Sequence, residues 1–207
     1  MHHRDVQVER WQGIGGSVER VAVVTGASRG IGAEIAKSFA RWGYTSVITF
    51  RSRRALAEEV VEAIGEAGGR AISLQVDVRS DASVLSMLDG VGQAFGRIDA
   101  LVCNAVDEVI KPIDEASLEE WHVPLLTKLD GAFLCTKHAI PLLQESDNPS
   151  ITYVTSVDGE RPNGDYIGYQ VGTAGLMAMT KANAVYLGRK YGIRVNAVAP
   201  GPVRTEL

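Results

Sequence analysis

The residues best placed by type and spacing to do chemistry form a glycine-rich turn, Thr25-Gly26-Ala27-Ser28-Arg29-Gly30-Ile31-Gly32. Its glycines permit a tight bend and let backbone N–H groups approach an anion at the positive start of a following helix. Between a strand and a helix, such a turn suits the pyrophosphate of a dinucleotide, with Gly26, Ser28, Arg29, Gly30, Ile31 and Gly32 as its binding residues. Sites that take an unphosphorylated adenosine ribose place an acid at the end of the second strand. Here Arg51, Arg53 and Arg54 follow Phe50 instead. Arg29 and Arg51 offer cations to a 2′-phosphate, so NADP(H) is expected over NAD(H). Arg53 and Arg54 carry no assignment, and the bland alternative for the whole run is a solvated helix start. A second glycine cluster, Gly13-Ile14-Gly15-Gly16, precedes no helical pattern and reads as a flexible tail.

A phosphate-binding turn needs a strand before it and a helix after it, and the chain supplies that alternation repeatedly. Apolar, β-branched runs predict strands at Val21–Thr25, Thr45–Phe50, Ala71–Val76, Ala100–Cys103, Ser150–Thr155 and Arg194–Val198. Their near-continuous hydrophobicity is what burial on both faces of a parallel sheet demands. Between them, Ile31/Ile35/Phe39, Leu56/Val60/Ile64, Leu88/Val91/Phe95 and Leu126/Leu129/Phe133 recur at helical steps;. Gly43, Gly68 and Gly96 are placed to end three of these helices. Ser117-Leu-Glu-Glu120 reads as a capping box opening the fourth, in which Pro124 predicts a kink or a restart. The fold class is therefore α/β: a three-layer α/β/α Rossmann fold on a doubly wound parallel sheet of six strands.

At 207 residues and 45% hydrophobic content, one domain is expected over 20–207, behind a polar leader over 1–19;. A net charge of −4 offers no basic face, so nucleic acid is not an expected partner;. No apolar run is long enough to be a membrane span or signal segment. Two cysteines, Cys103 and Cys135, lack metal spacing and read as buried, reduced thiols, giving a cytoplasmic expectation with no metal site;.

The glycine turn, together with Arg194-Val195-Asn196-Ala197-Val198-Ala199-Pro200-Gly201-Pro202-Val203-Arg204-Thr205, resembles the short-chain dehydrogenase/reductase family, especially its carrier-protein-linked ketoreductases. The resemblance spans Val21 to Leu207. It implies an adenine contact for Asp77, a cofactor contact for Asn104 and for Pro200-Gly201, and a catalytic role for Ser156 and Tyr169, at the family's spacing. Four positions depart from the pattern. Cys103 and Val106 stand where the family has asparagine and glycine, and Thr173 stands four past Tyr169, where the family has the lysine that lowers the tyrosine pKa. Taking Tyr166 as the tyrosine gives Gln170 at the same spacing, and Lys181 lies about 18 Å further along the helix from Tyr169. The family's asparagine position, seven past Trp121, is Lys128.

A tyrosine of ordinary pKa is about 0.1% phenolate at pH 7, and lowering it about three units takes close to 4 kcal/mol. Losing that help slows proton transfer on the order of a thousandfold. The leading expectation is therefore a non-catalytic subunit, with Ser156 and Tyr169 vestigial. It would dock on a full-length homologue through helices near 118–144 and 168–190, serving an NADP(H)-dependent reductase of carrier-bound β-keto or β-hydroxy thioesters in antibiotic or secondary metabolism. In this it is similar to the non-catalytic members of the paired reductases of aminocoumarin pathways. The family's lid and final strand do not follow Leu207, which would leave the sixth strand an uncovered edge for a partner to cover. The first alternative is an active ketoreductase in which Lys128 compensates, against which a lysine side chain reads more simply as exposed. The second is an NADP(H)-binding sensor or scaffold.

Overall fold

A computed structural model describes residues 19–204. The remainder of the leader, with its glycine cluster, and Thr205 lie outside the described residues. Six strands, β1 (Arg20–Val24), β2 (Tyr44–Phe50), β3 (Arg70–Gln75), β4 (Ala100–Cys103), β5 (Ser150–Val154) and β6 (Arg194–Val198), pair in the order β3-β2-β1-β4-β5-β6. Every pairing is parallel. Each expected strand is present, within one residue at either end; the central runs are buried on both faces, whereas the edge strands β3 and β6 are more exposed. Val21 to Val24 are wholly inaccessible.

Helices α1 (Gly30–Arg41) and α2 (Arg54–Glu66) cover one face of the sheet. There Ala36, Ala57, Val60 and Ile64 pack on Val24, Ile48 and Val102. Helices α3 (Asp81–Phe95), α4 (Leu118–Pro124), α5 (Gly131–Leu143) and α6 (Ile167–Tyr191) belong to the other face. Its core joins Val84, Leu88, Cys135, Leu143 and Leu176 to Val23, Leu101 and Ile151. Gly43, Gly68 and Gly96 follow α1, α2 and α3 with φ of 80°, 78° and 71°, the left-handed conformation that stops a helix;. Cys103 and Cys135 are free and buried, and their mutual hydrogen bond followed by burial pushes the Cys103 thiol up. At the edge of the sheet, β6 buries only Val195.

The capping box at Ser117 forms, with Ser117 accepting from the Glu120 N–H and Glu120 accepting from the Ser117 N–H. At Pro124, where a kink or a restart is expected, the helix changes type. α4 runs into a π-helical turn, Leu125–Asp130, and on into α5, with helical backbone angles at Pro124, Leu125, Asp130 and Gly131. The turn absorbs the proline by changing hydrogen-bond spacing: the Leu125 N–H reaches His122 O, and the Gly131 N–H reaches back five residues to Leu126 O;.

Candidate active site

The strand order reverses between β1 and β4, and in an open parallel sheet the crevice for a ligand lies beyond the strand ends at that point;. A cleft of 480 Å³ opens there, running from Arg51 past the glycine turn to Ser156 and Tyr169. Close packing explains the glycines. Gly26 has φ 64°, and a Cβ on it would lie 2.8 Å from Ala105 Cα. A Cβ on Gly32 would lie 2.5 Å from both the Asn104 side-chain nitrogen and the Gly26 carbonyl oxygen.

Asn104, expected at a cofactor, directs its amide to the turn itself, donating to Thr25 O at 3.0 Å and Gly26 O at 3.1 Å. Thr25 Oγ1 accepts in return from the N–H groups of Asn104 and Ala105. Thus the loop after β4 is laced to the turn after β1, and Val106 beyond it lines the cleft, 40% exposed.

The start of α1 leaves backbone donors unmet at the cleft. Arg29 is its N-cap, no side chain caps it, and no acid stands in its first turn. The first N–H groups of a helix have no partner inside it, so this end fits a phosphate, with Ser28, Arg29, Gly30, Ile31 and Gly32 all lining the cleft beside it;. At the same end, Asp77 accepts from Arg79 Nε at 2.8 Å and Nη2 at 2.6 Å. Arg79 holds its carboxyl below the usual range, against the opposing effect of burial. Arg51 also lines this end, paired with Asp107.

At the other end, Ser156 begins the turn after β5. Its hydroxyl donates to Asp158 Oδ2 at 3.3 Å and accepts from the Asp158 N–H at 3.2 Å. Pro200 and Gly201 line the cleft nearby, and Pro200 O accepts from the Val157 N–H at 3.1 Å. Tyr169, in the first turn of α6, faces the same cleft. Burial pushes its phenol above the ordinary value, more than the Ser156 hydrogen bond holds it down, and Glu108 and Asp158 add to the rise.

Thr173 is wholly buried and lies outside the cleft lining. Its methyl group packs where a Cβ on Gly159 would come within 2.8 Å. Lys128 is not exposed, contrary to expectation. It is 4% accessible, its ammonium donates to Val154 O at 3.1 Å, and that ammonium lies 4.8 Å from the centre of the Tyr169 ring. The π-helical turn carries it inward, and burial brings its pKa down to about 8 although Glu108 pulls the other way.

The glycines of α6 explain how that turn comes so near. Gly168, Gly172 and Gly175 face Trp121–Pro124, Leu125 and Leu129 in succession, so the α4-to-α5 segment can press against α6. Sequence reading assigned no role to Asp107 or Asp158 and weighed Tyr166 only as an alternative to Tyr169; all three line the cleft. Of these, Asp107 carried a usable signal, an acid immediately beyond the β4 loop. Among the described residues, no group of three or more potential ligands gathers to hold a metal, and no helix is long and apolar enough to cross a membrane.

A family model described as short chain dehydrogenase matches residues 20–207. The chain is 37% identical over 190 residues to a cis-4-hydroxycyclohexanecarboxylate dehydrogenase from Sinomonas cyclohexanicum, covering 91% of this chain and 75% of that protein. It is 36% identical over 188 residues to a 3-oxoacyl-[acyl-carrier-protein] reductase from Synechocystis sp., covering 91% and 76%. Among solved structures it is similar to a dehydrogenase/reductase from Sinorhizobium meliloti 1021, with a TM-score of 0.86, 31% identity, and 90% and 73% of the two chains covered.

Proposed function

The chain belongs to the short-chain dehydrogenase family, and from that premise we propose that it is an NADP(H)-dependent oxidoreductase interconverting a carbonyl and a secondary alcohol. Its proton chemistry runs through Ser156, Tyr169 and Lys128. The observation that carries this reading is the buried Lys128 ammonium 4.8 Å from the Tyr169 ring. That contact is a desolvated cation–π pair, worth on the order of 2 kcal/mol, and it sets a positive charge beside a phenol that burial pushes above its ordinary value.

Arg29, Arg51 and the N–H groups at the start of α1 would hold the dinucleotide, which when bound supplies a hydride equivalent to the carbonyl carbon. Ser156 holds the carbonyl oxygen by a hydrogen bond. Tyr169 delivers its phenolic proton to that oxygen as negative charge develops on it, completing the alcohol. The phenolate left behind is stabilised by the Lys128 ammonium, which at about pKa 8 is mostly protonated at pH 7 and close enough to neutrality to return the proton;. The name of the Synechocystis relative points to 3-oxoacyl thioesters as the first substrates to try.

NADPH consumption by the purified chain against 3-oxoacyl thioesters and simple cyclic ketones tests the reading. We expect turnover that Tyr169→Phe lowers at least about a hundredfold; turnover indifferent to Tyr169→Phe refutes it. A second reading, a non-catalytic subunit serving a full-length relative in secondary metabolism, is favoured by Thr173 and by Phe133, Val171, Val185 and Tyr186, exposed on α5 and α6. It requires turnover only in the complex, from the partner's residues.

A further inference from the structure

Arg51, at the expected 2′-phosphate position, is already engaged. It follows β2, whereas Asp107 lies in the loop after β4, and β1 with its glycine turn stands between those strands in the sheet. The ion pair therefore crosses the mouth of the cleft. It is bidentate, Nη1 to Oδ2 at 2.5 Å and Nη2 to Oδ1 at 3.1 Å. Both ends are fixed from behind: Arg51 O accepts from Gln75 Nε2 at 2.8 Å, and Asp107 Oδ2 accepts from Thr127 Oγ1 at 2.9 Å. The side chains are 45% and 25% exposed, so a ligand can reach the pair. A carboxylate meeting a guanidinium in this fork presents two oxygens in the arrangement that a phosphate presents.

We propose that Asp107 sets the cofactor preference of this site by occupying Arg51. A 2′-phosphate takes the guanidinium over from the Asp107 carboxylate. Asp107, tethered to Thr127, remains beside the phosphate as a fixed negative charge that limits how tightly a 2′-phosphorylated adenosine is held. Unphosphorylated adenosine leaves the ion pair closed and is insensitive to the Asp107 charge. The tether also joins the adenosine end of the cleft to the π-helical turn, since Thr127 is the neighbour of Lys128 on it. Asp107 is a specificity-determining residue in this account, and the inference rests on the dinucleotide reading of the cleft.

The test is equilibrium binding of NADPH, NADH, adenosine 2′,5′-bisphosphate and 5′-AMP to the whole chain and to Asp107→Asn. Asparagine can still accept from Thr127, so it removes the charge with little change in shape. Asp107→Asn is expected to tighten NADPH and the bisphosphate about tenfold, the factor that relief of ~1.4 kcal/mol of repulsion gives. NADH and 5′-AMP should stay within about twofold, which also shows that the variant is folded. Weaker NADPH binding, or an equal shift for phosphorylated and unphosphorylated ligands, overturns the inference and makes Asp107 a loop tie only. If the unaltered chain binds none of the four, the dinucleotide reading itself falls. If it binds them and Asp107→Asn leaves their ratio unchanged, the role of Asp107 alone falls.

Discussion

Lys128 holds a pKa of about 8 because its ammonium has left water for a site offering one carbonyl and one ring face, Val154 O and Tyr169. A folded-state value below the ordinary 10.5 means that the unfolded chain binds the proton more tightly. Stability attributable to this group is thus lowest below pH 8 and rises between about 8 and 10.5, by roughly 3 kcal/mol in all. Lys128→Met should therefore raise stability at pH 7 by about 2 kcal/mol after the lost hydrogen bond, with a gap to the parent chain that closes towards pH 10. Chemical denaturation at pH 7 and pH 10 measures both. A variant less stable than the parent at pH 7 would show the ammonium to be a net structural asset instead. Sequence reading erred at this residue because a lysine's ordinary preference for water is a local property. Its burial is set by contacts with β5 and α6, remote in the chain.

At the scale of elements, strands were legible because a parallel sheet buried on both faces leaves continuous apolar runs, as Val21–Val24 illustrates. The capping box at Ser117 was legible for a similar reason, since it needs only residues three apart. The π-helical turn was not. Proline in a helix predicts a kink or a restart by local rules, whereas here the segment is held against α6 by packing that the local pattern does not encode. The glycines at 168, 172 and 175 were its one sequence trace, a close-approach face at helical spacing. They differ in tolerance. A Cβ on Gly168 would meet Trp121 O at 2.7 Å, while one on Gly172 would come no closer than 3.3 Å, to Leu125 Cδ2. Gly168→Ala should cost about 1–3 kcal/mol and lower turnover by moving Lys128 away from Tyr169. Gly172→Ala should cost under about 1 kcal/mol, because a flexible side-chain tip can yield. Thermal melts of the pair check the order, and equal losses would mean that the α4–α6 approach is looser than described.

Across the whole molecule, a cleft at the sheet's reversal point joins a basic, ion-paired end to an end lined by Ser156, Tyr169 and Lys128. The first end was readable from the glycine turn and the arginines, which adjoin it in sequence. The second was readable only in part, since Ser156 and Tyr169 lie near one another in the chain while Lys128, whose ammonium faces the Tyr169 ring, is remote from them in sequence. The most direct measurement is the pH dependence of NADPH-driven carbonyl reduction by the purified chain and by Lys128→Met, with NADPH affinity measured in parallel. The account predicts that the parent rate falls as pH rises through about 8, where Lys128 loses its proton, and that Lys128→Met is on the order of a hundredfold or more slower at pH 7 without this descending limb;. NADPH affinity should be little changed. An unaltered rate in Lys128→Met, or turnover that arises only when a full-length relative is added, would contradict it.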